Sequence, residues 1–234
     1  MSLITAVSPK MGELVSLDAT WEQIASGCTF TEGPLWVAAE NTLYFSDMPA
    51  DTRRKWTRAG GVEVVASPSN KVNGTTLCMN GNQLLCEHVT SSVAILRNGV
   101  REVVVSHYGD KELNSPNDIV VTSDGAIWFT DPPYGRWPGF GEEREQELDF
   151  CGVYRYTKDG GLQLAVDDFN KPNGLCFSPD EKMLWINDTE DLNIRRFDVA
   201  TDGSLSGGEV IYQWPGEPVY SDGVPTASSS TRQA

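Results

Sequence analysis

Five positions along the chain carry side-chain oxygen at the head of an apolar run. They open the segments Glu32-Gly33-Pro34-Leu35, Asn73-Gly74-Thr75-Thr76, Asn117-Asp118-Ile119-Val120, Asn173-Gly174-Leu175-Cys176 and Asp222-Gly223-Val224. The leading residues stand 41, 44, 56 and 49 positions apart, and each is Glu, Asn or Asp. Brought to one point, they would offer two carboxylates and three amides. Carboxylates packed together without a cation repel each other and are costly to desolvate. An oxygen-rich set with no sulfur and little imidazole suits a hard divalent ion, calcium first and magnesium second. Taken singly, Asn or Asp before Gly is an ordinary turn residue. Five of them in phase with a repeat mark a site.

Other chemistries are poorly supplied. The two histidines, His88 and His107, and the five cysteines form no C-x-x-C pair and no zinc-type cluster. There is no Gly-x-Ser-x-Gly turn, so a serine hydrolase is not indicated. The cysteines fall mostly in apolar runs and read as reduced packing residues. His88, in Cys86-Glu87-His88, is the better placed histidine, although a lone histidine on a strand more often packs than ligates.

A ring of ligands needs repeated elements to hold it, and the chain contains them. Leu43-Tyr44-Phe45-Ser46-Asp47, Leu84-Leu85-Cys86-Glu87-His88, Ile127-Trp128-Phe129-Thr130-Asp131 and Leu184-Trp185-Ile186-Asn187-Asp188 share one form, three apolar residues and then two mostly polar ones. Turns precede them at Glu40-Asn41, Gly81-Asn82, Asp124-Gly125 and Asp180-Glu181. No window sustains a helical period, so the pattern is all-β. Each unit reads as a four-stranded meander, and repetition at this spacing is the mark of a β-propeller. In a propeller the innermost strands line the channel, so their equivalent ends converge on the axis. The Glu-rich stretch from Gly135 to Phe150 reads as a surface insertion with solvated charges.

Composition narrows the partners. The 234 residues are 39% hydrophobic with a net charge of -15, enough apolar content for a core and too acidic for nucleic acid or an anionic membrane surface. No apolar run approaches the roughly 20 residues that span a bilayer. Residues 1–20 show no basic segment followed by an apolar one, so the expectation is a cytoplasmic protein.

At these motifs the sequence resembles the SMP-30/gluconolactonase/luciferin-regenerating family, on its gluconolactonase branch. The matching stretches include Thr31-Glu32-Gly33-Pro34, Asn73-Gly74-Thr75-Thr76, Cys86-Glu87-His88, Leu113-Asn114-Ser115-Pro116-Asn117-Asp118, Phe129-Thr130-Asp131-Pro132-Pro133-Tyr134-Gly135, Gly152-Val153-Tyr154-Arg155 and Pro172-Asn173-Gly174-Leu175. The resemblance implies a six-bladed propeller with one divalent cation in its channel, Ca2+ ahead of Mg2+, Mn2+ or Zn2+, and hydrolysis of a small-molecule sugar lactone. It matches Glu32, Asn173 and Asp222 to the metal ligands, Asn117 to a substrate-binding asparagine, and Asp222 also to the catalytic proton-transferring group. Asp131 and Tyr134 would line the mouth on the substrate side. Where sugar-lactone members can carry Arg, two residues before Asn117, this chain has Ser115.

After Gly223 the family pattern stops, where a sixth blade would follow. The expectation is therefore an incomplete propeller over 1–224, about four blades plus a partial fifth, and a disordered tail over 225–234. An open seam would invite self-association. Two other functions stay in view: the organophosphate-ester hydrolysis of related propellers, and an inactive metal-binding remnant.

Overall fold

The structure, a computed structural model, describes residues 8–215. Asp222, the expected partial fifth blade and the 225–234 tail lie outside the described residues. Four antiparallel meanders follow one another in chain order. The first is β1 (Thr31–Val37), β2 (Thr42–Asp47), β3 (Thr52–Thr57) and β4 (Gly61–Ala66), and the second is β5 (Val72–Leu77), β6 (Gln83–Glu87), β7 (Ser92–Arg97) and β8 (Val100–Val105). A short hairpin of β9 (His107–Tyr108) and β10 (Lys111–Glu112) leads to the third, β11 (Ile119–Val121), β12 (Ile127–Asp131), β13 (Cys151–Thr157) and β14 (Gly161–Phe169). The fourth is β15 (Pro172–Phe177), β16 (Met183–Asp188), β17 (Asn193–Val199) and β18 (Leu205–Gln213). The first strands lie side by side, β1 against β5, β5 against β11, and β11 against β15. This is an all-β propeller arrangement. No helix among the described residues is long and apolar enough to cross a membrane.

Local chemistry explains the meanders. Each turn from first to second strand contains a left-handed residue: Asn41, Gly81, Gly125 and Glu181 have φ of 49°, 81°, 83° and 57°. Asn and Gly tolerate that region best. At Glu181 the turn is held by its neighbours, since Asp180 Oδ1 accepts from Ser178 Oγ and the Lys182 amide.

The core explains why the second strands read as unbroken apolar runs. In a strand, successive side chains face opposite sides. Ile127 and Phe129 of β12 face the second blade, packing with Leu84, Cys86, Val93 and Ile95. Ala126 and Trp128 face the fourth blade, packing with Leu175, Leu184 and Ile186. A strand buried on both faces needs apolar residues at both phases.

Two expectations are corrected. The second repeat is offset by one residue, because β6 ends at Glu87, and it is Glu87 that stands where Asp47, Asp131 and Asp188 end β2, β12 and β16. His88 therefore lies beyond the strand. The insertion after Gly135 is a solvated loop only in part: its glutamates are exposed, but its arginines are not. Arg136 is buried, donates to the carbonyl oxygens of Leu113 (2.5 Å) and Asn114 (2.7 Å), and pairs with Glu112. Arg144 donates to Val89 O and Ser91 Oγ, and Leu148 enters the core between the second and third blades. Glu142, Glu143 and Glu145 stay exposed. A guanidinium carries five donors, so two arginines can satisfy backbone carbonyls that the crossing chain leaves unpaired.

Candidate functional site

The four lead residues within the described region, Glu32, Asn73, Asn117 and Asn173, are all buried. Each stands at or beside the head of an inner strand, three of them at an irregularity in its pairing. The pairing of β1 with β2 shifts between Glu32 and Leu35, that of β5 with β6 between Val72 and Thr75, and that of β15 with β16 between Pro172 and Leu175. Asn117 precedes β11, and its amide donates to Thr130 O at 2.8 Å.

Backbone contacts bring these heads together in sequence. Thr75 Oγ1 donates to Gly33 O (2.8 Å), the Gly74 amide donates to Asn117 O (2.7 Å), and Thr130 Oγ1 donates to Asn173 O (2.6 Å). The Leu175 amide donates to Asp118 Oδ2 at 3.1 Å. The glycines permit this approach. A Cβ on Gly33 would lie 1.9 Å from Asn73 O, and one on Gly74 would lie 2.3 Å from Asn117 O. Both distances are far inside van der Waals contact, so the Glu-Gly and Asn-Gly pairs are required by packing as well as by turning.

One polar atom in this group is left over. Asn173 Oδ1 is buried and accepts no hydrogen bond from the described residues. A buried acceptor without a partner is costly, and an amide oxygen is a donor of the kind a hard cation takes. The donor chemistry of Glu32 and Asn173 thus suits the expected metal. Among the described residues no group of three or more His, Cys, Asp or Glu could hold a metal ion. Asp222, the third expected ligand, lies outside them.

The remaining expected residues surround the loop that carries Asn117. Asp131 is fully buried; its Oδ2 accepts from the Asn114 amide (2.8 Å) and its Oδ1 from the Ser115 amide (2.7 Å). Burial pushes its carboxyl up to about 7, against the pull of those two amides and of Arg136. Ser115 Oγ donates to Pro132 O (2.5 Å) and accepts from the Gly135 amide (2.8 Å), so the hydroxyl standing in the Arg position is occupied within the loop. Tyr134 is half-buried and meets Trp137 edge to face, with ring centroids 5.1 Å apart.

A family model described as the SMP-30/Gluconolactonase/LRE-like region matches residues 30–229. The chain belongs to this family. It is 35% identical over 202 residues to a gluconolactonase of Zymomonas mobilis, a match covering 80% of this chain and 56% of that protein. The chain thus spans little more than half the length of that relative. A solved gluconolactonase of Xanthomonas campestris superposes with a TM-score of 0.79 at 36% identity, covering 87% of this chain and 67% of the other. A calcium-binding protein from Agrobacterium tumefaciens, regucalcin, shares the fold, with a TM-score of 0.59 at 19% identity over 79% of this chain and 59% of its own.

Within this family member, the sequence reading missed the residues that hold the site in place. Asp47 Oδ1 accepts from the amides of Thr29 and Phe30, and Asp188 Oδ2 accepts from those of Asn170 and Lys171. With Asp131 they form a recurring latch, in which the carboxylate ending the second strand grips the backbone entering the first. Such bonds to a charged acceptor are the stronger kind. The second blade departs from the rule. Its entry, Ser69 and Lys71, is held by Asp51 Oδ1 from the first blade, while Glu87 is engaged by Arg101 Nε at 2.6 Å. The signal was present as the recurrent Asp ending three of the four repeated runs.

Proposed function

We propose that this chain carries the site of a metal-dependent hydrolase that opens a sugar lactone. Family membership supports the reading. The observation that carries it is the buried Asn173 Oδ1, unpartnered among the described residues, at the head of one of four inner strands joined head to head by hydrogen bonds. In this reading Glu32, Asn173 and Asp222 hold one divalent cation, calcium first, with magnesium, manganese or zinc as alternatives. When bound, such an ion supplies Lewis acidity toward the lactone carbonyl.

The chain's own residues do the rest. Asn117 positions the substrate through its amide, which Asp131 helps to place by gripping the two backbone amides of Asn114 and Ser115. Tyr134 contributes a wall of the mouth. Asp222, ionised, takes a proton from the attacking water as its oxygen bonds to the carbonyl carbon. The ring C–O bond then breaks, and the same proton can pass to the leaving oxygen, giving the open hydroxy acid. Substrate and product are small molecules, and neither nucleic acid nor a membrane takes part.

Hydrolysis of gluconolactone by the full chain, before and after exhaustive chelation and again after adding back each metal, tests the reading. The expected result is turnover that chelation abolishes and a divalent ion restores. Turnover that survives chelation would overturn the metal. Tight metal binding with no turnover would favour a binding protein, and a preference for a fluorophosphate ester would favour the organophosphate chemistry.

A further inference from the structure

The second blade holds a polar pair that the lactonase reading leaves unused. His88 is fully buried beyond the end of β6, between Asn73 at the head of β5 and Phe140 in the insertion. Its Nδ1 lies 3.1 Å from the Phe140 carbonyl oxygen, and its Nε2 lies 3.3 Å from Asn73 Nδ2. A carbonyl oxygen can only accept, so Nδ1 must carry a proton. Burial drives the pKa of the ring down to about 4, so at neutral pH it holds that one proton and no second. Nε2 is then a lone pair, which can only accept.

This settles the amide. Asn73 presents Nδ2 to the imidazole and Oδ1 on the opposite prong; the reversed amide would set two acceptors against each other. The ring itself cannot swing away. Gly135 backs it so closely that a Cβ there would lie 2.8 Å from His88 Cβ and 2.9 Å from Cγ. The insertion therefore meets the histidine twice, through the Phe140 carbonyl and through Gly135.

We propose that His88 is a positioning residue: it fixes the Asn73 carboxamide so that Oδ1 faces away from the imidazole as a hydrogen-bond acceptor for a hydroxyl of a polyhydroxylated lactone. The proposal rests on the lactone reading above for its ligand, and on the geometry of the pair for its mechanism. It also supplies a hydroxyl contact where Ser115 cannot, since that side chain is taken up by Pro132 and Gly135.

Two measurements test it. With His107→Gln to remove the other imidazole, a proton–nitrogen correlation spectrum of isotope-labelled histidine should show His88 as the Nδ1–H tautomer at neutral pH. An Nε2–H tautomer overturns the proposal. Binding of D-gluconolactam, a mimic that resists hydrolysis, is then read by calorimetry. His88→Phe keeps the bulk and loses both nitrogens, and should weaken binding about tenfold, the equivalent of 1.4 kcal/mol. In an Asn73→Ala background the same change should do nothing further, because the two residues act as one unit. His88→Gln, whose amide offers one donor and one acceptor, should recover most of the loss. Additive losses, or a Gln variant as weak as the Phe variant, overturn the positioning role. Wild-type protein with the Nδ1–H tautomer that fails to bind the lactam overturns the lactone reading and the substrate role of Asn73 with it. Full affinity in His88→Phe overturns the positioning role alone.

Discussion

The second and third blades are built on the same strand pattern as the first and fourth, but they live in different surroundings. Trp128 and Phe129 in the third blade are fully buried, one facing each neighbour. In the fourth blade Val210, Ile211 and Tyr212 are 52%, 47% and 45% exposed, and in the first Val64 and Val65 are 54% and 41% exposed. The residue types hardly differ; what differs is the strand that carries them within its blade and the neighbour its face meets. Blade order is only part of this. Val100 and Val103 on the fourth strand of the second blade are 59% and 50% exposed, while Leu184 and Ile186 on the second strand of the fourth blade are fully buried. Strand position within a blade thus decides burial as well. The inner pair also carries two shifted groups near the site, His88 and Asp131.

Large-to-small changes should expose that asymmetry most clearly. Trp128 packs edge to face with Phe177 at 5.5 Å and lies beneath the Arg155 guanidinium at 5.9 Å. Trp128→Ala should cost about 3–5 kcal/mol, the range for truncating a buried aromatic residue. Trp36, 46% exposed on the first blade, has much less to lose, and Trp36→Ala should cost about 1 kcal/mol, the centre of the range for point changes. Urea denaturation of the two variants measures both. Equal losses would break the contrast between inner and flanking blades.

The next effect is one of pH, and it has two opposing parts. The His88 pKa is depressed to about 4, so between there and its ordinary value the unfolded chain binds more protons. Its contribution is present above about pH 6.5 and lost as pH falls through 4. Asp131 is raised to about 7, so its contribution is present below about pH 4 and lost as pH rises through 7. In the wild-type protein the two slopes offset each other across the same window. The stability difference between wild type and His88→Gln should grow by about 3 kcal/mol from pH 4 to 7, at roughly 1.4 kcal/mol per pKa unit. The difference between wild type and Asp131→Asn should shrink over that window by a comparable amount. Parallel denaturation curves at both ends of the window, for either variant, would remove that group from the account.

These groups also mark how far the sequence could be read. Phase and turn chemistry are local, so the four meanders and their left-handed turn residues Asn41, Gly81 and Gly125 were legible, as was the placing of Glu32, Asn73, Asn117 and Asn173 at or beside the heads of the first strands. The second blade was misregistered by one because Glu87 replaces the Asp that ends the other second strands. The insertion was misread in part, at Arg136 and Arg144, for a different reason. Its charges resemble those of a solvated loop, and their partners, the carbonyls of Leu113 and Asn114 for Arg136 and that of Val89 for Arg144, lie 22 to 55 residues away in the chain. Phe140 and His88 are separated by 52 positions. No periodicity encodes such contacts. The latch residues Asp47 and Asp188 were visible as a recurrence, but only the structure shows which amides they grip.

The smallest expected effect on stability comes from the exposed edge, and there the useful readout is association. β18 is the last strand of its sheet among the described residues, and Val210 and Tyr212 give it an exposed apolar surface. Such an edge is a template for pairing with another chain. If it is open in solution, Val210→Ser with Tyr212→Ser removes side chains that are already about half hydrated. The cost per change should then stay within about 0.5 kcal/mol, as for surface substitutions generally. The same pair of changes should lower concentration-dependent self-association, followed by sedimentation across a dilution series. A pair of serines that destabilised the protein as severely as Trp128→Ala would mean that this face is covered in solution, and the flanking blades would then belong with the inner ones. A wild-type protein that stays monomeric on concentration, with serine variants of unchanged stability, would leave the edge exposed but unable to pair, with twist or charge keeping a second chain away.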